Sequence, residues 1–177
     1  MAPDGPHRYY FSNMKVIPQY INGVRILKGI EANFIDKKGN IDIDKNDVDK
    51  LEIILAGFHK LTPYGDGDFA KNTNALIGAI ERGYVDVITH PGNPVYTFDY
   101  ESVLLAAKEY NVAIEVNNSS FTVSRIGSAE NCMKIIETAK RIGNLISIGS
   151  DAHISFDVGN ISKSQEMLER FGYDEEL

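Results

Sequence analysis

Val85-Asp86-Val87-Ile88-Thr89-His90-Pro91-Gly92-Asn93-Pro94 joins a short, β-branched apolar run to a histidine and then to a turn rich in proline and glycine. A run of that length, bounded by turn residues, reads as a buried strand. The turn behind it is rigid, because proline fixes its own φ. Outward from this stretch the same pattern recurs at residues 24–30, 51–58, 112–116 and 145–149. A polar residue stands just past each run: Glu31, His59, Asn117 with Asn118, and Asp151 with His153.

Helical period fills the intervals. Residues 72–82 set Leu76, Ile77 and Ile80 on one face before Gly83, and residues 100–110 open behind Asp99 as N-cap. Ser128 is expected to cap a third helix, with Ala129, Cys132, Ile135, Ile136, Ala139 and Ile142 as its apolar stripe and Gly143 as its stop. Residues 161–171, closed by Gly172, make a fourth helix, and residues 34–43 around Lys38-Gly39-Asn40 read as a hairpin. Strict alternation of strand and helix implies parallel strands whose C-terminal ends share one face. The polar residues then converge, as they do in a βα barrel. Five runs fall short of the roughly eight strands of a closed barrel, yet a ring of strand-end polar groups fits a barrel better than a single crevice. The expectation is an α/β barrel with part of its strands absent from this chain.

Size and charge narrow the function. The 177 residues fit one domain spanning 1–177, and 43% hydrophobic with 24% charged residues is the composition of a globular chain. A net charge of −7 argues against a grip on long nucleic acids, whereas a phosphorylated small substrate stays open, because a bound dication inverts the local charge. The single cysteine, Cys132, excludes an intrachain disulfide and, on its apolar stripe, reads as structural. With no apolar span and no secretory signal at Met1–His7, the expected setting is the cytoplasm, away from membranes.

Three of the four histidines, His59, His90 and His153, directly follow strands, while His7 lies near the N-terminus. One such histidine reads as a solvated or capped residue; three beside Glu31 and Asp151 read as a metal cluster. Imidazole with carboxylate suits Zn, Fe or Mn. In Asp151-Ala152-His153 an extended chain would send both side chains to one side, although Asp151 could equally cap a helix. Glu31 could bridge two ions or pair with a lysine. Asn118 and Arg125 offer donors for phosphate oxygens, or belong to an ordinary polar loop. His7, with Tyr9, Tyr10 and Phe11, could line a substrate mouth or join the core, and residues 60–71 could form a lid or a plain loop.

Gly29-Ile30-Glu31-Ala32-Asn33, Gly57-Phe58-His59, Thr89-His90-Pro91-Gly92-Asn93-Pro94, Glu115-Val116-Asn117-Asn118-Ser119-Ser120-Phe121 and Gly149-Ser150-Asp151-Ala152-His153 together resemble the successive motifs of the polymerase and histidinol phosphatase (PHP) family of metal-dependent phosphoesterases. The resemblance implies a distorted seven-stranded (β/α)7 barrel with a trinuclear centre of zinc, manganese or iron. It makes Glu31 the bridge between two ions, Asp151 a ligand of the first, His59 and His90 ligands of the second, and His153 a ligand of the third. Glu31, Asp151 and His153 would form the catalytic set, and a metal-activated hydroxide would hydrolyse phosphate esters. The family's opening His-x-His and Asp-His strands have no counterpart here, and a final strand also looks absent. The expectation is therefore an incomplete site with fewer than two to three ions, in a chain that self-associates through exposed barrel edges. Two alternatives stand beside it: a catalytically silent metal-binding or partner-dependent remnant, and a phosphodiesterase.

Overall fold

The computed structural model describes residues 7, 9–65, 67–122 and 124–173. The reading of Met1–His7 as lacking a secretory signal falls, apart from His7, outside them. A short helix α1 (Tyr9–Asn13) leads into a two-stranded antiparallel ribbon, β1 (Tyr20–Ile21) and β2 (Val24–Arg25). Five strands follow in one parallel sheet: β3 (Gly29–Asn33), β4 (Ile53–Gly57), β5 (Val87–Ile88), β6 (Ala113–Asn117) and β7 (Ile146–Gly149). Their order in the sheet is their order in the chain, β3-β4-β5-β6-β7. The helices are α2 (Lys45–Val48), α3 (Phe69–Glu81), α4 (Tyr100–Glu109), α5 (Ser128–Ile142) and α6 (Ser162–Arg170).

Each strand is buried from one side by helices. Ala32, Ile54, Ala56, Ile88 and Ile114 face Leu76 and Ile80 of α3, Val103 and Leu104 of α4, and Ile135 and Ala139 of α5 in one apolar cluster. Truncating one of these fully buried leucines to alanine costs about 2–5 kcal/mol, since the cavity collapses only in part. Successive strand residues alternate faces. The opposite face therefore carries Glu31 of β3 and Glu115 and Asn117 of β6, and the parallel register sets all strand C-termini at one end.

Two expectations are corrected, and closure into a barrel is not shown. The run at 24–30 is two elements: Val24–Arg25 turns back on β1, and the sheet strand begins only at Gly29. Gly29 must lack a side chain, because a Cβ there would stand 2.4 Å from the Ile53 side chain. Glu31 thus lies inside a strand, paired in register with Leu55, and not beyond its end. Ser128 is the first residue of α5 rather than its cap; Gly127, at φ +92°, holds the cap position. The sheet of the described residues is open, with β3 and β7 as its edges, so the barrel is not seen closed. The other helices stand close to expectation, with Asp99 accepting a hydrogen bond from the Ser102 N–H at the start of α4.

Candidate metal centre

Glu31, His59 and His90 meet. Glu31 Oε1 lies 2.8 Å from His59 Nε2 and 2.8 Å from His90 Nε2, and the two ring nitrogens are 3.0 Å apart. The rings stand edge to face at 4.8 Å between centroids. His90 is 2% exposed, while the His59 and Glu31 side chains keep 30% and 37%, so the triangle has a covered side and an open side. Desolvation works against the charge of Glu31, yet the hydrogen bonds and charges of His59 and His90 outweigh it and hold the carboxyl well below its ordinary range.

The triangle follows from the strand ends. His59 and His90 each come two residues after their strands stop. Gly57, paired with Asn33 of β3, makes room, because a Cβ there would lie 2.5 Å from Thr89 Cγ2 and 2.9 Å from His90 Cε1. The His59 carbonyl accepts hydrogen bonds from the Tyr96 hydroxyl at 3.2 Å and from Thr62 Oγ1 at 3.1 Å, and Tyr96 stacks on Phe58. Tyr64 also leans on Phe58 and donates to Asn72 at 2.7 Å, which ties the loop at 60–71 to the core. At His90 the backbone adopts φ +33°, uncommon for any residue but glycine.

The donor set fits a transition-metal dication. Two imidazole nitrogens and one carboxylate oxygen are the three-protein-ligand pattern of catalytic zinc sites. Their separations of 2.8 to 3.0 Å are slightly tighter than the roughly 3.3 Å edge that bonds of about 2.0 Å give in a tetrahedron. His59 Nδ1 is buried with no hydrogen-bond partner among the described residues, so the ring's described polar contacts are all on the Nε2 side, where Glu31 and His90 stand.

The remaining sequence candidates are placed elsewhere. Among the described residues Asp151 and His153 do not join this group. Asp151 has φ +57°, so the extended geometry expected of Asp151-Ala152-His153 does not hold. Its carboxylate, 9% exposed, takes Arg125 Nη2 at 2.9 Å, whereas His153 is 86% exposed and its Nδ1 meets the Asp151 carbonyl at 2.8 Å. Asn118 is buried and its amide oxygen accepts the backbone N–H groups of Lys163 and Ser164, so it fastens the first turn of α6 instead of facing a ligand. His7 is exposed, with its Nδ1 accepting from the Tyr9 N–H. Burial pushes the Cys132 thiol up to about 12, in keeping with a structural role. Sequence reasoning passed over Glu115, a carboxylate inside the apolar run at 112–116, which was itself the signal.

An open parallel α/β sheet with histidines at adjacent strand ends beside a carboxylate carries a group that could hold a metal ion. The comparisons point to phosphatases. The chain is 48% identical over 175 residues to a protein named probable phosphatase from Thermoanaerobacter sp. (strain X514), an alignment that covers 99% of this chain and 71% of that one. It is 51% identical over 175 residues to a probable phosphatase of Caldanaerobacter subterraneus subsp. tengcongensis, covering 99% and 69%, and 46% identical over 170 residues to one of Shewanella sp. (strain ANA-3), covering 96% and 67%. The chain belongs to this family of bacterial phosphatases. No protein-family model matches it. Among solved structures, histidinol phosphate phosphatase from Lactococcus lactis, in complex with zinc, L-histidinol and phosphate, aligns at a TM-score of 0.55 and 15% identity, over 75% of this chain and 64% of that one. A chain from the cryo-EM structure of archaeal ribonuclease P with mature tRNA aligns at 0.52 and 16%, over 97% and 76%. At such identities the likeness is one of fold. No helix among the described residues is long and apolar enough to cross a membrane.

Proposed function

We propose that the chain is a PHP-type, metal-dependent phosphoesterase that hydrolyses small phosphate monoesters. The observation that carries the reading is the convergence of Glu31 Oε1, His59 Nε2 and His90 Nε2 at the C-terminal end of a parallel sheet, in a member of a phosphatase family. A dication of the zinc, manganese or iron type, when bound there, supplies a Lewis acid for a phosphoryl oxygen and makes water acidic enough to attack phosphorus near neutral pH.

The protein's own groups define the rest. His59 and His90 would offer Nε2 lone pairs to a dication, and Glu31 adds a negative charge that favours it. Glu31 and His59 stay partly open to solvent, so a phosphate group can approach from that side, while the buried ring of His90 closes the other. In this reading Asp151 and His153 serve further ions, two to three in a complete domain and fewer in this chain. That role requires Asp151 to exchange its Arg125 partner, which frees the guanidinium for bidentate pairing with the substrate phosphate. Asn118 contributes by fixing α6.

The test is p-nitrophenyl phosphate turnover by the chain with added Mn(II) or Zn(II), beside metal content by plasma mass spectrometry. Turnover should follow metal content, vanish with chelator, and be abolished by Glu31→Ala. Undiminished turnover in Glu31→Ala sinks the assignment.

A further inference from the structure

The geometry points to Glu115 as the residue that positions His90 for metal binding. Glu115 is the third residue of β6 and is 6% exposed. Its Oε2 accepts from Thr89 Oγ1 at 2.6 Å, from the His90 backbone N–H at 2.7 Å and from Asn117 Nδ2 at 3.2 Å. Among the described residues no lysine or arginine pairs with it. A carboxylate buried without a cation is costly, and such a group persists where hydrogen-bond donors converge on it.

The donors here come from one particular place. Two of the three belong to Thr89 and His90, the residues directly past the end of β5, and the third is two residues further along β6 on the same face. They hold the chain where it bends to φ +33°, a conformation costing on the order of 1–3 kcal/mol that persists only when its surroundings over-determine it. On the far side Gly149 of β7 leaves space, because a Cβ there would lie 2.1 Å from Glu115 Oε1. The His90 ring is confined from below by Gly57 and aimed at Glu31 from above. Glu115 touches neither Nε2 nor Glu31; it acts through the His90 backbone. Outer partners of this kind typically tune metal affinity by about 10- to 100-fold.

This inference rests on the metal-dependent reading, and the experiment separates the two. Co(II) and Zn(II) affinities would be measured for the full chain, for Glu115→Ala and for Glu115→Gln, with the visible spectrum of the Co(II) forms and the melting temperature of each metal-free protein. Glu115→Ala should bind about 10- to 100-fold more weakly, with an altered Co(II) spectrum, because His90 Nε2 moves off aim. Glu115→Gln, which keeps an acceptor oxygen, should restore the spectrum and most of the affinity. A wild-type chain that binds neither ion removes the metal reading itself. Wild-type affinity and spectrum in Glu115→Ala, with only a lowered melting temperature, overturn the positioning role. Should Glu115→Ala fail to fold, Thr89→Val decides: a several-fold loss of affinity at an unchanged melting temperature upholds the role, and no loss overturns it.

Discussion

The ends of β5 and β7 each carry a histidine segment expected from the sequence to join one metal cluster, and they are built in opposite ways. At β5 the residue is enclosed: His90 is 2% exposed, its N–H is caught by Glu115, its ring rests over Gly57, and its Nε2 meets two other polar groups. At β7 the arginine from the preceding loop takes Asp151, and His153 stands 86% in solvent. Both segments use a left-handed backbone, at His90 and at Asp151. One bend is clamped from the neighbouring strand and aims a ring into the site. The other turns Asp151 toward Arg125. A left-handed residue at a strand end thus sets direction, and what holds it decides whether the direction serves the cluster.

Removing a group from the assembled end should show the largest effect. His90→Ala or Glu31→Ala is expected to weaken Zn(II) binding by more than about 100-fold, beyond what an outer partner contributes, as read by competition with a chromogenic chelator. Equal losses on mutating His153 and His90 would erase the contrast between the two ends. Next comes Gly57→Ala, whose new methyl must push aside Thr89 and the His90 ring; about a tenfold loss of metal affinity should appear with an unchanged far-UV spectrum. A remote control sets the scale of plain stability. Asp99→Ala, at the cap of α4, should cost about 1 kcal/mol at pH 7 and leave metal affinity alone. Hydrogen bonds from Ser102 hold the Asp99 carboxyl below its ordinary 3.8, so this stabilisation is present above that value and is lost as pH falls through the lower folded value. Thermal melts at pH 7 and pH 2 should therefore show a smaller wild-type advantage at the lower pH. The smallest expected effect is that of Arg125→Ala on the first ion bound, no more than about twofold by calorimetry, since the guanidinium reaches Asp151 and not the triangle. A large change there would mean that the two ends act as one unit.

How far the sequence was legible follows the range of the forces. Four of the five sheet strands and the main helices were readable because apolar runs and helical stripes are local patterns. His59 and His90 were readable for the same reason: each closes a run. Glu31 was singled out as a candidate ligand but misplaced relative to its strand, because the break between the β1-β2 ribbon and β3 falls within one apolar stretch at Lys28-Gly29. The shared orientation expected of Asp151 and His153 assumed an extended chain, and a single φ of +57° at Asp151 undoes it. Glu115 was quoted within a motif but given no role, because two of its three partners lie 25 and 26 residues away, across a strand junction that no local window contains.

The three converging atoms have a consequence in hydrogen-ion stoichiometry. Glu31 Oε1, His59 Nε2 and His90 Nε2 all lie within 3.0 Å of one another, and each is a lone-pair acceptor when stripped of its hydrogen. Three facing lone pairs repel, so the ion-free triangle must share at least one hydrogen among them. A dication needs those same lone pairs, so its uptake must move that hydrogen off the triangle, either to a ring Nδ1 or to the buffer. Loading this protein is an exchange: heat that changes with the ionisation enthalpy of the buffer shows release to solvent, and heat that does not shows a transfer within the rings.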